Sequence, residues 1–231
     1  AARARVISIV VRDETQVAEV LDGPDGLLAA ATAGTVVAVH STISAEGAVA
    51  LAERASAAGV DLVDAPISGG AMGAHEGTLV VMVGGSDDAV ERARPVLERY
   101  AALVVHCGPV GQGTRMKIAR NLITFASFAA VGEAQRLAQA AGLDVAALGD
   151  VVRHSDRVTG GAGAIMLRPD ASVMADDDGL RPIFAHTAAL GTKDLDLAAE
   201  LGDGLDVDTP VAELARRLLA PALGLEPYPE P

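Results

Sequence analysis

The stretch Gly34-Thr-Val-Val-Ala-Val-His-Ser-Thr-Ile-Ser44 decides the architecture. Its first half is β-branched and continuously apolar, without polar alternation, which is the pattern of a strand buried on both faces of a parallel sheet. Its second half leads into an Ala-rich run over 45–57, and Ser44 stands where a helix needs an N-cap. A buried strand passing into a capped helix is the repeating half of a βαβ unit.

Working outward, Arg5-Val-Ile-Ser-Ile-Val-Val11 predicts a preceding strand of the same buried type, followed by a short helix from Glu14 to Leu21. Downstream, 60–64, 78–83 and 103–106 read as further strands, with a helix over 87–100. Past Gly108-Pro-Val-Gly-Gln-Gly113 the strand pattern stops. Helices are predicted at about 114–141, 144–153, 187–201 and 208–220, with loops at 159–164 and 176–179. The expected fold is α/β then all-α: a partial Rossmann-like domain over 1–110, doubly wound on a parallel sheet, then a helical domain over 111–231. The helix after Gly113 is apolar almost all round between Leu122 and Ala134, so it should be a buried core or subunit-interface element.

Composition narrows the function. A net charge of −13 without clustered Lys or Arg argues against binding a phosphate backbone. With no Trp, three Phe and two Tyr, base-stacking platforms are also unexpected. One cysteine, Cys107, excludes an intramolecular disulfide and fits a reducing compartment. The apolar run near 121–131 is broken by Asn121, Thr124 and Ser127, so no membrane span is expected and a cytoplasmic protein is. The histidines show no metal-ligand spacing, and no metal site is expected.

Two constellations could carry chemistry. Asp64-Ala-Pro-Ile-Ser-Gly-Gly70 follows a strand directly, and ligands of open α/β sheets collect beyond the carboxyl ends of strands. A Ser-Gly-Gly turn there offers a hydroxyl and backbone N–H groups to a carboxylate, although taken alone it reads first as an ordinary tight turn. The second is Gly111-Gln-Gly-Thr-Arg-Met-Lys117-Ile-Ala-Arg-Asn121. Lys117 and Asn121 are four apart and share one helix face, so an ammonium can exchange a proton with a substrate oxygen that the amide orients. Taken alone, Lys117 also reads as a solvated surface lysine.

Together, in this order and spacing, these segments resemble the 3-hydroxyisobutyrate dehydrogenase family of β-hydroxyacid dehydrogenases, in the 6-phosphogluconate-dehydrogenase-like superfamily. The similarity runs through Ser41-Thr-Ile-Ser44, Asp64–Gly70, Gly77-Thr-Leu79, Met82-Val-Gly-Gly85, the Lys117/Asn121 helix and Lys193-Asp-Leu195. The resemblance implies NAD or NADP as cofactor, a small carboxylate substrate, and Lys117 as catalytic acid/base with Asn121 orienting the substrate hydroxyl. It implies that Ser68, Gly69 and Gly70 hold the carboxylate, that Thr42 lines the nicotinamide pocket, and that Lys193 reaches back across the cleft to cofactor and substrate. Val10 and Val11 stand where the family has a cofactor-touching Leu-Pro. A homodimer or higher homo-oligomer is expected from the apolar helix.

Two features depart from the family pattern. No Gly-x-Gly-x-x-Gly precedes the first strand, so a βαβ unit on the order of 60 residues is expected upstream, since such a unit needs about 30 or more. Arg153-His-Ser-Asp156 and the Gly-rich 159–163 leave substrate identity open, with His154 either touching substrate or simply ending a helix. An imine or other carbonyl reductase on the same scaffold, or a non-catalytic oligomerisation or ligand-binding module, are the alternative functions.

Overall fold

The computed structural model describes residues 3–161, 167–168 and 172–226. Two compact units divide the chain, Ala1–Leu122 and Ile123–Pro231. The division falls later than the 110/111 boundary read from the sequence, inside one continuous helix.

In the N-terminal unit, strands β1 (Val6–Ile9), β2 (Val36–Val39) and β3 (Asp61–Asp64) pair in parallel, in register Ile7↔Val37↔Leu62. β2 is central and wholly buried. Its alternate residues feed two cores, one on each face of the sheet. Val37 and Val39 pack with Val17 and Leu21 of α1 (Glu14–Asp22) and with Ala48, Leu51 and Ala55 of α2 (Ala45–Ala57). Val36 and Ala38 pack with Val90, Ala93 and Leu97 of α4 (Asp87–Leu97). Two-sided burial is why β2 is apolar throughout, whereas β1 carries Ser8 and β3 begins and ends on Asp.

The sheet is mixed rather than purely parallel. After Asp64 the chain bends through Ala65-Pro66 into β4 (Ile67–Ser68), and β5 (Leu79–Gly84) returns antiparallel along it, pairing Asp64 with Gly84, Ile67 with Val81 and Ser68 with Val80. Between β4 and β5 lies only the short helix α3 (Gly70–Glu76). So short a connection cannot cross over the sheet, which leaves the antiparallel return as the available path. β6 (Ala101–Gly108), reached through α4, pairs with β5 in parallel.

Helix α5 (Gln112–Ala140) follows, and Gly142 at φ +74° ends it as expected. No strand occurs after it among the described residues. The C-terminal unit contains α6 (Val145–Thr159), α7 (Arg181–Leu205) and α8 (Pro210–Ala222). Met174, Phe184, Ala188, Ala220, Leu223 and Leu225 form its core. Of the Gly-rich loop expected at 159–164, Thr159 closes α6 and residues 162–164 lie outside the described residues. The buried-core reading of α5 is overturned. Leu122, Phe125 and Phe128 are 71%, 62% and 64% exposed, with the two rings edge to face at 5.9 Å.

Candidate functional site

Asp64 ends β3 and is buried. Its carboxylate accepts hydrogen bonds from the backbone N–H of Gly111 (2.7 Å) and of Thr114 (2.6 Å), capping the first turn of α5 from a distant strand. Helix N-terminal amides have no partner within the helix, and an anion is the group best suited to satisfy them. Burial pushes the Asp64 carboxyl above the usual carboxylate range, and the two amide hydrogen bonds offset this in part. The approach is close enough that a Cβ on Gly84 would strike the Asp64 carboxyl, and one on Gly113 the carbonyls of Met82 and Asp64.

This cap sets the face that α5 turns inward. Thr114 is fully buried, Lys117 follows one turn later and is 9% exposed, and Asn121 follows on the same side. Met116 and Ile118 point outward. Among the described residues the Lys117 ammonium has no ion pair or hydrogen bond. Burial, and next the nearby Arg120 guanidinium, lower its pKa. The Asn121 amide oxygen accepts from Arg120 at 3.3 Å, and among the described residues its NH2 has no hydrogen-bond partner.

Ser68, four residues beyond Asp64 on the same strand path, is buried. Gly69 (φ +123°) and Gly70 (φ +63°) turn the chain into α3 in a backbone region that a side chain at Gly69 could not adopt without strain. Asp64 thus ties the strand carrying Ser68 to the helix carrying Lys117 and Asn121.

A second cluster lies at the carboxyl ends of β1 and β2. Val10 is 69% exposed and Thr42 is exposed, while buried Ser41 between them bonds the backbone of Val11. The two helix N-termini here each carry a side-chain cap. Asp13 accepts from Gln16 N–H, Ser44 accepts from Gly47 N–H, and the Glu14 carboxylate accepts from the Ser44 N–H and hydroxyl. An apolar side chain beside a free hydroxyl suits a nicotinamide ring and its ribose. The acidic caps do not suit a pyrophosphate.

Lys193 belongs to the C-terminal unit, on α7, where it is exposed and pairs with Asp194 at 2.9 Å. His154 lies on α6, exposed, with Arg157 at 3.2 Å from its Nδ1, and the depression along Asp150–Arg157 is one open face of a single helix. Of the residues singled out above, Arg153, His154 and Ser155 line it, and Lys117, Asn121 and Ser68 do not. Among the described residues no group of three or more His, Cys, Asp or Glu could hold a metal ion, and no helix is long and apolar enough to cross a membrane.

Sequence reasoning passed over Ser41 and the capping role of Asp64. Both were inside quoted motifs. Their partners are 30 and about 50 positions away, so no local signal marks the bonds.

Comparison with known proteins places this doubly wound fold among the NAD(P)-dependent oxidoreductases. Residues 1–108 match the NAD binding domain of 6-phosphogluconate dehydrogenase, and residues 111–225 match the NAD-binding domain of NADP-dependent 3-hydroxyisobutyrate dehydrogenase. An uncharacterized oxidoreductase of Mycobacterium tuberculosis is 52% identical over 99% of this chain and 77% of its own length. The 3-hydroxyisobutyrate dehydrogenase of Pseudomonas aeruginosa is 38% identical over 86% of this chain and 66% of its own. A crystal structure from Mycobacterium avium 104, named only as an oxidoreductase, superposes with a TM-score of 0.93 at 49% identity, covering 98% of this chain and 80% of that one. The chain belongs to the 3-hydroxyisobutyrate dehydrogenase-like family of NAD(P)-dependent hydroxyacid dehydrogenases. Its cofactor is NAD or NADP.

Proposed function

We propose that this protein transfers a hydride between NAD(P) and a small β-hydroxy acid, with Lys117 as the acid/base. The observation that carries the reading is Lys117 itself: a buried lysine, unpaired among the described residues, lowered in pKa, and held inward by the cap from Asp64.

The Ser68 hydroxyl and the backbone at Gly69 and Gly70 receive the substrate carboxylate. The Asn121 NH2 donates to the substrate oxygen and sets its orientation beside Lys117. In oxidation the neutral Lys117 amine takes the hydroxyl proton, and in reduction its ammonium returns one to the carbonyl oxygen. Bound NAD(P) supplies the hydride acceptor or donor. Val10, Val11 and Thr42 hold its nicotinamide end, with proximity rather than charge as their contribution. A β-hydroxy acid places its hydroxyl one carbon beyond the α position, so anchoring the carboxylate at Ser68–Gly70 fixes where the reacting carbon lies. The Pseudomonas aeruginosa relative, a 3-hydroxyisobutyrate dehydrogenase, supports a substrate of this class.

The exposed apolar face of α5 at Leu122, Phe125 and Phe128 supports a homodimer, since monomers rarely leave so continuous an apolar strip in water.

Rates of NAD- and NADP-linked oxidation across a panel of β-hydroxy acids, 3-hydroxyisobutyrate included, test the assignment. Turnover of at least one member that collapses in Lys117→Ala is expected. An unchanged rate in that variant overturns it.

A further inference from the structure

The β1–β2 ladder closes with the His40 N–H donating to the Ile9 carbonyl at 2.9 Å. Beyond that rung both chains leave the sheet, β1 toward α1 and β2 toward α2. Beyond it side chains join them: the Glu14 carboxylate accepts from the Ser44 N–H and hydroxyl, and nearer the sheet Ser41 bonds Val11. The Ser41 hydroxyl donates to the Val11 carbonyl at 2.6 Å and accepts from the Val11 N–H at 3.3 Å. A single hydroxyl thereby serves both polar groups of a residue 30 positions away, and Ser41 is itself only 6% exposed. In the segment it holds, the Val11 side chain packs against the core shared with α1 and α2, Val10 projects into solvent, and Arg12 N–H is taken by the side chain of Gln16 at 3.0 Å; among the described residues Ser41 is what the Val11 backbone bonds to.

We infer that Ser41 is a positioning residue for the cofactor, holding the Val10–Val11 backbone at a set distance from Thr42 so that the two sides of the nicotinamide pocket are pre-formed. The assignment rests on the dehydrogenase reading above, in which Val10, Val11 and Thr42 receive the cofactor. Ser41 acts through Val11 and needs no contact with the ligand. Alanine would leave the Val11 N–H and C=O to water and let the loop sample other conformations, so binding would bear the cost of ordering it. The chemical step, carried by residues on β4 and α5, would be untouched once cofactor is bound.

Two measurements on Ser41→Ala and Ser41→Thr test this. Amide hydrogen exchange without cofactor is expected to speed at Val11 by tenfold or more in Ser41→Ala and to stay near wild type in Ser41→Thr. Calorimetric titration is expected to show NAD or NADP bound roughly 5- to 30-fold more weakly by Ser41→Ala, a range on the order of one lost hydrogen bond, with Ser41→Thr restoring affinity. Michaelis constants for cofactor should rise in parallel while kcat at saturation holds within about twofold, the signature of lost binding rather than lost chemistry. A wild type that binds and a Ser41→Ala variant that binds equally well overturn the Ser41 assignment alone. A full-length wild type that binds neither NAD nor NADP overturns the dehydrogenase reading and the Ser41 assignment with it, whatever the exchange data show.

Discussion

The Asp64 carboxylate and the Thr114 backbone N–H lie 2.6 Å apart, joining the end of a central strand to the first turn of α5. Asp64→Asn keeps the shape but offers one oxygen to two amides and turns an NH2 toward the other. Leaving a buried N–H unpaired costs about 1–3 kcal/mol. Denaturant unfolding of the variant should show a loss of that size, and kcat should fall more than the cofactor Michaelis constant rises, because the face bearing Lys117 is no longer held. A variant as stable and active as the parent would contradict the capping role.

Lys117 sets the pH dependence of oxidation. The neutral amine is the active form, and burial with Arg120 nearby lowers its pKa below the ordinary lysine value of about 10.4. Activity in the oxidative direction should therefore rise with pH along a limb whose midpoint lies below that value, and the reductive direction should show the opposite slope. Lys117→Ala should lose roughly 10²–10⁴ in kcat, the usual range for general acid–base groups, and lose the limb with it. A limb that survives the substitution belongs to another group.

His40 makes the N-terminal unit sensitive to mild acid. Its Nδ1 faces the Ala65 carbonyl at 2.6 Å and so carries the proton, leaving Nε2 to accept from Ser8 (3.1 Å) and Tyr100 (3.0 Å). Burial lowers its pKa, with the bond to Ala65 acting the other way. The unfolded chain therefore binds the proton more readily than the folded one. The stability from a neutral His40 is fully present above the unfolded value of about 6.5 and is lost as pH falls through the lowered folded value. Melting temperatures should drop between pH 7 and pH 5 in the wild type, and the drop should be shallower in His40→Gln. Parallel curves would show that other groups govern the acid limb.

Gly69 carries the substrate turn at φ +123°. Alanine there must either adopt a backbone region that costs about 1–3 kcal/mol or re-route the turn. Gly69→Ala and Ser68→Ala should both raise the Michaelis constant for the carboxylate substrate while leaving cofactor affinity alone. If both constants moved together, the turn would belong to the cofactor.

Leu122 and Phe128 together should govern assembly. Light scattering at micromolar concentration is expected to give a dimer or larger species for the wild type, and a monomer for Leu122→Asp combined with Phe128→Asp. A monomeric wild type would end the case for a homo-oligomer.

The strands and helices of the N-terminal unit were largely legible because burial on both faces writes itself into local composition: β2 has Val at three of four positions, and Ser44 caps the helix that follows it. Lys117 and Asn121 could be assigned to one helix face from spacing alone. The antiparallel return through β4 and β5 was not legible, since a strand's composition carries no record of its direction. Nor was the exposure of α5, whose apolar sequence is the same whether a core or a second chain covers it.

By itself, then, the order of residues determined which segments become strands, which become helices, and which side chains carry the chemistry, since these follow from periodicity, capping and residue type within a few positions. Only the tertiary structure decided that Asp64 holds the helix of Lys117 and that Ser41 holds the loop of Val11. Each bond spans 30 or more positions and exists because packing the two cores of the sheet brings its ends together.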